Sequence, residues 1–235
     1  AAKQPANWFP AVLQGDISQR RNADIGEARE ALEVYLTLSR EAMTADPKPD
    51  LVIWPESAVP VPFRAAHPVS TLFRTGIRML TYAYHVPMLI GAIDFQDPLP
   101  VDGRDLKVTN SALHFDETGK LRRKYDKIHR VPFGEYVPFR AFLPEFVIRR
   151  IDMNRDLAPG TDFDPVPLGK NVRAGVAICY EGIFSYLTRA FALRGANVLV
   201  VISNDAWYPT SSEPEQHLAN AVMRAVETGL PMVRC

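Results

Sequence analysis

A fully apolar segment reads Ala174-Gly175-Val176-Ala177-Ile178 and ends at Cys179. Apolar runs of this length that do not alternate with polar residues predict strands buried on both faces. Leu51-Val52-Ile53 and Val198-Leu199-Val200-Val201-Ile202 have the same character, as does Met88-Leu89-Ile90. Such strands belong to sheets that are covered by another layer on each side.

Helical patterns alternate with these strands. The segment from Asp24 to Ala45 carries apolar residues at spacings of three and four, and Asp24 with Glu27 resembles a capping box. Further helices are predicted at 70–84, 184–194 and 215–228, and strands at 11–17, 50–54, 87–93, 108–115, 121–125, 173–179 and 197–203. This alternation predicts a layered α/β fold, and without a visible repeat or linker we expect residues 1–235 to form a single domain.

Composition excludes several classes of protein. With 47% hydrophobic residues among 235, the chain can bury a substantial core. Lys+Arg and Asp+Glu number 27 each, and this zero net charge gives no basis for a nucleic-acid partner. The two cysteines are too few for a disulfide framework. No apolar run is long enough to span a bilayer, and the chain begins at Ala1 and stops just after an apolar run. We therefore expect both ends to be cuts through a longer protein.

Reactive side chains follow several of the apolar strands. Glu56 follows Trp54-Pro55, Cys179 ends its own strand, and Asn204 with Asp205 follows Ile202-Ser203. Lys127 lies just beyond the second strand of a hairpin whose turn reads Asp116-Glu117-Thr118-Gly119. Functional groups gather at the carboxyl ends of strands in α/β sheets, so these side chains are candidates for one site.

A thiol, a carboxylate and an ammonium suffice for acyl transfer through a thioester, with no metal and no cofactor. A buried glutamate accepts the thiol proton, and a lysine stabilises the thiolate and the oxyanion formed on attack. Each residue also has an ordinary explanation. Cys179 by itself suits a small buried core residue, Glu56 a loop position, and Lys127 a solvated charged face.

Four blocks of sequence resemble the signature motifs of the nitrilase superfamily. They read Trp54-Pro55-Glu56-Ser57-Ala58, Tyr125-Asp126-Lys127-Ile128-His129-Arg130-Val131-Pro132-Phe133-Gly134-Glu135-Tyr136-Val137-Pro138, Ala177-Ile178-Cys179-Tyr180-Glu181 and Ser203-Asn204-Asp205-Ala206-Trp207. The second and third blocks are more similar to apolipoprotein N-acyltransferases than to soluble amidases. The resemblance runs over nearly the whole chain.

This resemblance implies a four-layer α-β-β-α sandwich of the nitrilase type. It assigns Glu56 as general base, Lys127 as the lysine that stabilises the oxyanion, and Cys179 as nucleophile. Four supporting residues are implied as well. They are Glu135, which would orient Lys127, Tyr180 and Glu181 beside the nucleophile, and the active-site asparagine Asn110.

The resemblance also implies a reaction and a location. A phospholipid would donate a fatty acyl chain to Cys179, and the N-terminal amine of a diacylglyceryl lipoprotein would accept it. Members of this branch carry transmembrane helices ahead of the catalytic domain. The domain itself would lie on the periplasmic side of the bacterial inner membrane.

Alternatives remain open from the sequence. A soluble carbon–nitrogen hydrolase would use the same three residues with water as acceptor, and a non-catalytic interaction domain would use none of them. The segment from Phe139 to Met153 interleaves apolar residues with arginines. It is either a covered loop or a lid whose arginines face anionic lipid head groups.

Overall fold

The computed structural model describes residues 7–17, 25–100, 103, 105–146, 156–207 and 211–235. Within these ranges the strands form a five-stranded and a four-stranded sheet. The Asp24 cap and residues 147–153 of the predicted lid lie outside the described residues. The hairpin at 116–119 is confirmed, because Val108–Phe115 and Leu121–Asp126 pair antiparallel around it.

The first sheet has five strands in chain order. They are β1 (Pro10–Val12), β2 (Leu51–Ile53), β3 (Met88–Phe95), β4 (Val108–Phe115) and β5 (Leu121–Asp126). The first three run parallel, and β4 and β5 each reverse direction. Strands β2, β3 and β5 therefore end at the same edge of the sheet, where β4 begins.

The second sheet is built around the segment that ends at Cys179. It contains β6 (Val166–Gly169), β7 (Val172–Ile178), β8 (Val198–Ile202) and β9 (Met232–Arg234). Strands β7, β8 and β9 are parallel to one another, whereas β6 pairs antiparallel with β7. A short 3₁₀ helix, Cys179–Ile183, follows β7 directly.

Alternation along β2 shows how the layers stack. Val52 lies in the core shared with the outer helices α1 (Ile25–Thr44) and α2 (Pro68–Tyr84), whereas Leu51 and Ile53 lie in the core shared with the second sheet. That sheet is covered in turn by α3 (Ser185–Leu193) and α4 (Glu213–Thr228), with Phe191 of α3 lying over Gly175. The order is helices, sheet, sheet, helices, so the predicted four-layer sandwich is confirmed.

Two strands were missed by the sequence prediction. Strand β6 is only four residues long and contains Pro167. Strand β9 has only three residues, and all three are partly buried. Neither has a local signal, because both form through pairing with β7 and β8. The first predicted strand, 11–17, was too long, since β1 ends at Val12.

Candidate active site

Four strand ends deliver the candidate side chains to one place. Glu56 follows β2, Lys127 follows β5, Cys179 follows β7 and Asn204 follows β8. The Asn204 backbone N–H donates to Glu56 Oε2 at 3.2 Å, which joins the two sheets at this edge. The stacked sheets therefore present these four side chains at a common edge.

A buried lysine lies between two carboxylates at this edge. Lys127 is 2% exposed, and its Nζ donates to Glu56 Oε1 at 3.3 Å and to Glu135 Oε1 at 3.0 Å. Asn110, on β4, bridges the same two oxygens, its Nδ2 donating at 2.7 Å and 2.9 Å. Burial opposes the charge on Lys127, yet both glutamates raise its pKa well above the ordinary value. The ammonium is therefore held charged in a nearly dry setting.

Close packing holds Glu56 against the sheet. Gly91 on β3 has no side chain, and a Cβ there would lie 2.1 Å from Pro55 O and 2.6 Å from Glu56 Cα. Only glycine lets the Pro55–Glu56 backbone approach β3 so closely. On the other side, Asn204 Nδ2 donates to the Glu56 carbonyl at 3.4 Å. The carboxylate is thus fixed through its backbone as well as through Lys127 and Asn110.

Cys179 stands at a sharp strand-to-helix turn. Its φ of +53° lies in the left-handed region, which is unusual for a residue with a side chain. Burial, the charge of Glu56 and a hydrogen bond to that carboxylate raise the pKa of the thiol, while Lys127 and Ser203 lower it. The net direction is upward, so the resting sulfur is protonated. Reaction then needs a base, and Glu56 is within hydrogen-bonding reach.

Glu181 joins the nucleophile turn to the lysine loop. It is fully buried and accepts at Oε1 from the backbone N–H of Ile128 (2.7 Å) and His129 (2.9 Å). Its Oε2 accepts from the Ile178 N–H at 2.8 Å and the Tyr125 hydroxyl at 2.9 Å. Burial raises the pKa of Glu181 to about 7, and these donors oppose that rise. One carboxyl group therefore ties the residue after Lys127 to the residue before Cys179.

The side chain of Tyr180 packs among rings beside the nucleophile. Its ring meets that of Phe184 edge-on at a centroid distance of 5.1 Å and lies 5.9 Å from His129. His217 of α4 lies 6.2 Å away on another side. A further contact from α4 reaches the same turn, where the Arg224 guanidinium donates to the Ile183 carbonyl. The rings and this arginine hold the turn that carries Cys179.

A separate polar cluster is the one group within the described ranges that could hold a metal ion. Its ligand atoms, from Asp205, Glu213 and His217, lie within 4.8 Å of one another. However, Arg234 Nη2 already contacts Asp205 Oδ2 at 2.6 Å, and His217 Nδ1 lies 2.8 Å from Glu213 Oε1. Arg234 therefore already forms an ion pair with Asp205, one of the three ligands, and the donor set fits a metal poorly.

The loop after Glu135 presents aromatic side chains to solvent. Phe139, Phe142 and Phe146 are 79%, 85% and 70% exposed. Arg140 between them pairs with Asp156 at 2.7 Å. Three large exposed rings in eight residues form an apolar surface next to the Lys127–Glu135 pair, which is typical of a binding surface.

Comparison with known proteins identifies the family to which this fold and site belong. The model of the carbon-nitrogen hydrolase family matches residues 11–235. The chain belongs to the carbon-nitrogen hydrolase family. An apolipoprotein N-acyltransferase from Geobacter metallireducens is 39% identical over 224 residues, which cover 95% of this chain and 41% of that protein. A protein of the same name from Brucella suis is 31% identical over 230 residues, with coverages of 95% and 41%.

Solved structures support the same fold at lower identity. A carbon-nitrogen hydrolase from Helicobacter pylori is 19% identical with a TM-score of 0.64, covering 97% of this chain and 72% of that one. Nit3 from Saccharomyces cerevisiae is 20% identical with a TM-score of 0.68, and the coverages are 100% and 78%. The chain spans about two-fifths of the length of the curated relatives it matches. Within the described ranges, none of the helices is long and apolar enough to cross a bilayer.

Within this carbon-nitrogen hydrolase domain, five of the predicted side chains meet and two do not join them. Glu56, Lys127, Glu135 and Asn110 form one hydrogen-bonded group, and Cys179 lies beside Glu56. Glu181 and Tyr180 instead support the turn from other sides. The catalytic roles of all seven stay predictions.

Three residues of the site were missed or left unassigned. Gly91 interrupts an apolar strand, a pattern that signals close backbone approach. Asn204 was noted only as a strand-end residue, and Ser203 was given no role. The contacts of Asn204 and Ser203 cross between sheets or strands, so no local pattern identified those two residues.

Proposed function

We propose that this chain is the catalytic domain of an N-acyltransferase of the apolipoprotein type. In this proposal a phospholipid gives a fatty acyl chain to Cys179, and the N-terminal amine of a diacylglyceryl lipoprotein receives it. The names of the Geobacter and Brucella relatives support this choice of reaction. The observation that carries the proposal is the meeting of a thiol, a carboxylate and a charged lysine at one edge of the sandwich.

The first half-reaction forms the thioester. Glu56 takes the proton from the Cys179 thiol as the sulfur attacks the ester carbonyl of the phospholipid. Lys127 and the backbone N–H of Tyr180 stabilise the oxyanion of the tetrahedral intermediate. The carbon–oxygen bond then breaks, and the proton held by Glu56 passes to the departing oxygen, which releases lysophospholipid.

The second half-reaction transfers the acyl group to nitrogen. The amine attacks the thioester carbonyl, and Glu56 accepts the proton that the nitrogen loses. The carbon–sulfur bond breaks, and the sulfur leaves with a proton returned from Glu56. Glu135 holds Lys127 and Asn110 holds Glu56 through both steps, and the hydrogen bond from Asn110 to Glu135 links the two pairs.

The apolar loop suits a lipid donor. Exposed Phe139, Phe142 and Phe146 provide a surface on which acyl chains or the bilayer interface can rest. Localisation at the bacterial inner membrane, with this domain on the periplasmic side, is part of the proposal. So is anchoring by helices that precede the domain in the parent protein, as the relatives' greater length allows.

The proposal is tested by trapping the acyl-enzyme. The intact protein is incubated with a phospholipid, and mass spectrometry measures the acyl adduct on each cysteine. Wild type should carry the adduct on Cys179, whereas Cys179→Ala and Glu56→Gln should carry none. Cys235→Ala is the matched control, because this second, partly buried thiol donates to the carbonyls of Leu13 and Ile53. An adduct that survives in Cys179→Ala would end the proposal.

The acceptor is tested in the same preparation. A diacylated lipopeptide with a free N-terminal amine is added to the acyl-enzyme, and loss of the adduct is followed over time. Transfer to the amine supports the acyltransferase. Release of free fatty acid at the same rate with and without the lipopeptide would support a hydrolase instead.

A further inference from the structure

Ser203 lies beside the nucleophile because of strand register. Strands β7 and β8 are parallel, and Ile178 pairs with Ile202. Cys179 directly follows β7 and Ser203 directly follows β8, so both residues leave neighbouring strands at the same edge of the sheet. A hydrogen bond from Ser203 is one of the causes that lower the pKa of the Cys179 thiol, against the larger rise from burial.

The Ser203 side chain is built into a fixed position. It is 6% exposed, and its backbone N–H donates to the Cys235 carbonyl at 2.7 Å. Its Oγ donates to Asp205 Oδ1 at 2.8 Å. The other oxygen of Asp205 contacts Arg234 Nη2 at 2.6 Å, which holds the carboxylate in place. A chain of polar groups therefore runs from the sulfur through Ser203 and Asp205 to Arg234.

We propose that Ser203 is a second hydrogen-bond donor to the Cys179 sulfur, one that acts only when the sulfur carries negative charge. With the thiol protonated, the hydroxyl donates to Asp205 and turns an oxygen lone pair to the sulfur. When the thiolate forms, the hydroxyl rotates and donates to it. Asp205 tolerates the loss because the Arg234 guanidinium remains on its other oxygen.

This arrangement supplements Lys127, which follows a strand of the first sheet, with a donor that follows a strand of the second sheet. Lys127 is shared between two glutamates, so only part of its donor capacity faces the sulfur. A neutral hydroxyl adds stabilisation for the thiolate without adding a second buried charge, which would repel Lys127. The role of this donor in acyl transfer rests on the proposed function, but its effect on the thiol does not.

Alkylation of Cys179 by iodoacetamide measures the thiolate without any lipid or amine. At a fixed pH near neutrality, Ser203→Ala should slow alkylation by about tenfold or more, since a hydrogen bond to a charged group is worth about one pKa unit or more. Ser203→Thr keeps the hydroxyl and should keep most of the rate. Ser70→Ala is the matched control, because this serine is also buried and donates to a carbonyl, that of Pro62.

Two controls separate a direct effect of Ser203 on the thiol from a folding defect and from failure of the proposed function. Thermal unfolding of each variant shows whether the site is intact. If Ser203→Ala does not fold, Ser203→Thr and Ser203→Val form a pair of equal shape that differs by the hydroxyl alone, and Val should be the slower. Equal alkylation rates in the hydroxyl and non-hydroxyl variants would overturn the inference. If Ser203→Ala is alkylated slowly and the wild-type protein forms no acyl-enzyme, the role of Ser203 at the thiolate is supported and the proposed acyltransferase activity is refuted.

Discussion

Replacing Glu181 with glutamine removes one charge from the buried carboxyl group that joins the two catalytic segments. The glutamine amide oxygen can stay with the N–H groups of Ile128 and His129. Its NH₂ group then faces the Ile178 N–H, and two donors cannot form a hydrogen bond with each other. The Tyr125 hydroxyl can rotate so that its oxygen accepts a hydrogen bond from the NH₂ group. One buried backbone donor is left unsatisfied, and two charge-assisted bonds become neutral.

The magnitude follows from these contacts. An unsatisfied buried donor costs about 1–3 kcal/mol, and the two weakened bonds lose about 1 kcal/mol together, so Glu181→Gln should cost about 3 kcal/mol. For a domain of this size, that is a fall of about 6–12 °C in the thermal midpoint. Tyr125→Phe removes a single one of these bonds and should cost about 1 kcal/mol, which makes it the graded control.

Thermal unfolding and acyl-enzyme formation are measured on the same samples. We expect Glu181→Gln to lose acyl-enzyme formation well below its unfolding temperature, because Lys127 and Cys179 are no longer held together. Tyr125→Phe should retain most of it. A Glu181→Gln protein with a wild-type midpoint and wild-type acylation would refute the idea that this carboxyl group positions the site.

Two further predictions concern glycine packing and pH. Gly91→Ala should move Glu56 and slow acyl-enzyme formation, since the new Cβ would meet Pro55 O at 2.1 Å, and the strain should cost about 1–3 kcal/mol. Gly103→Ala introduces only the backbone strain of a side chain at a φ of +66°, since its Cβ would meet nothing within 4 Å, and it should acylate normally; equal rates in both variants would contradict the packing argument. Burial lowers the pKa of His114 from 6.5 to about 4, and neither ring nitrogen has a partner. As the pH falls, His114 therefore binds its proton in the unfolded chain before it does so in the folded one. Its full contribution to the free energy of unfolding is present above pH 6.5, and about 3 kcal/mol of that contribution is lost by pH 4. His114→Leu should flatten this acid limb in unfolding measured at both pH values, and an unchanged slope would remove His114 as its cause.

The protonation state of the site gives the mechanism its direction. A raised pKa for Cys179 beside a charged Lys127 means that the site rests with a neutral thiol next to an ammonium. In the proposed mechanism, proton transfer to Glu56 and attack by sulfur are then coupled, which avoids a free thiolate in a nearly dry pocket. In the same proposal, the Ser203 hydroxyl and the Lys127 ammonium share the charge that appears during that step.

The sequence by itself determined the elements and the candidate chemistry. Among the described residues, apolar runs and helical spacings predicted strands β1 to β5, β7 and β8 and helices α1 to α4, because local periodicity reflects which face is buried. The motif blocks then indicated Glu56, Lys127 and Cys179 as one set. The short strands β6 and β9 escaped, since each exists only through its pairing partner.

Only the tertiary structure decided how the site is held. Asn204 reaches Glu56 across 148 residues, and Glu181 reaches Ile128 across 53. Such contacts depend on how two sheets stack and on which backbone groups the strands leave unpaired at their ends. No spacing in the chain encodes them, whereas the reactive side chains themselves are visible as residue types at strand ends.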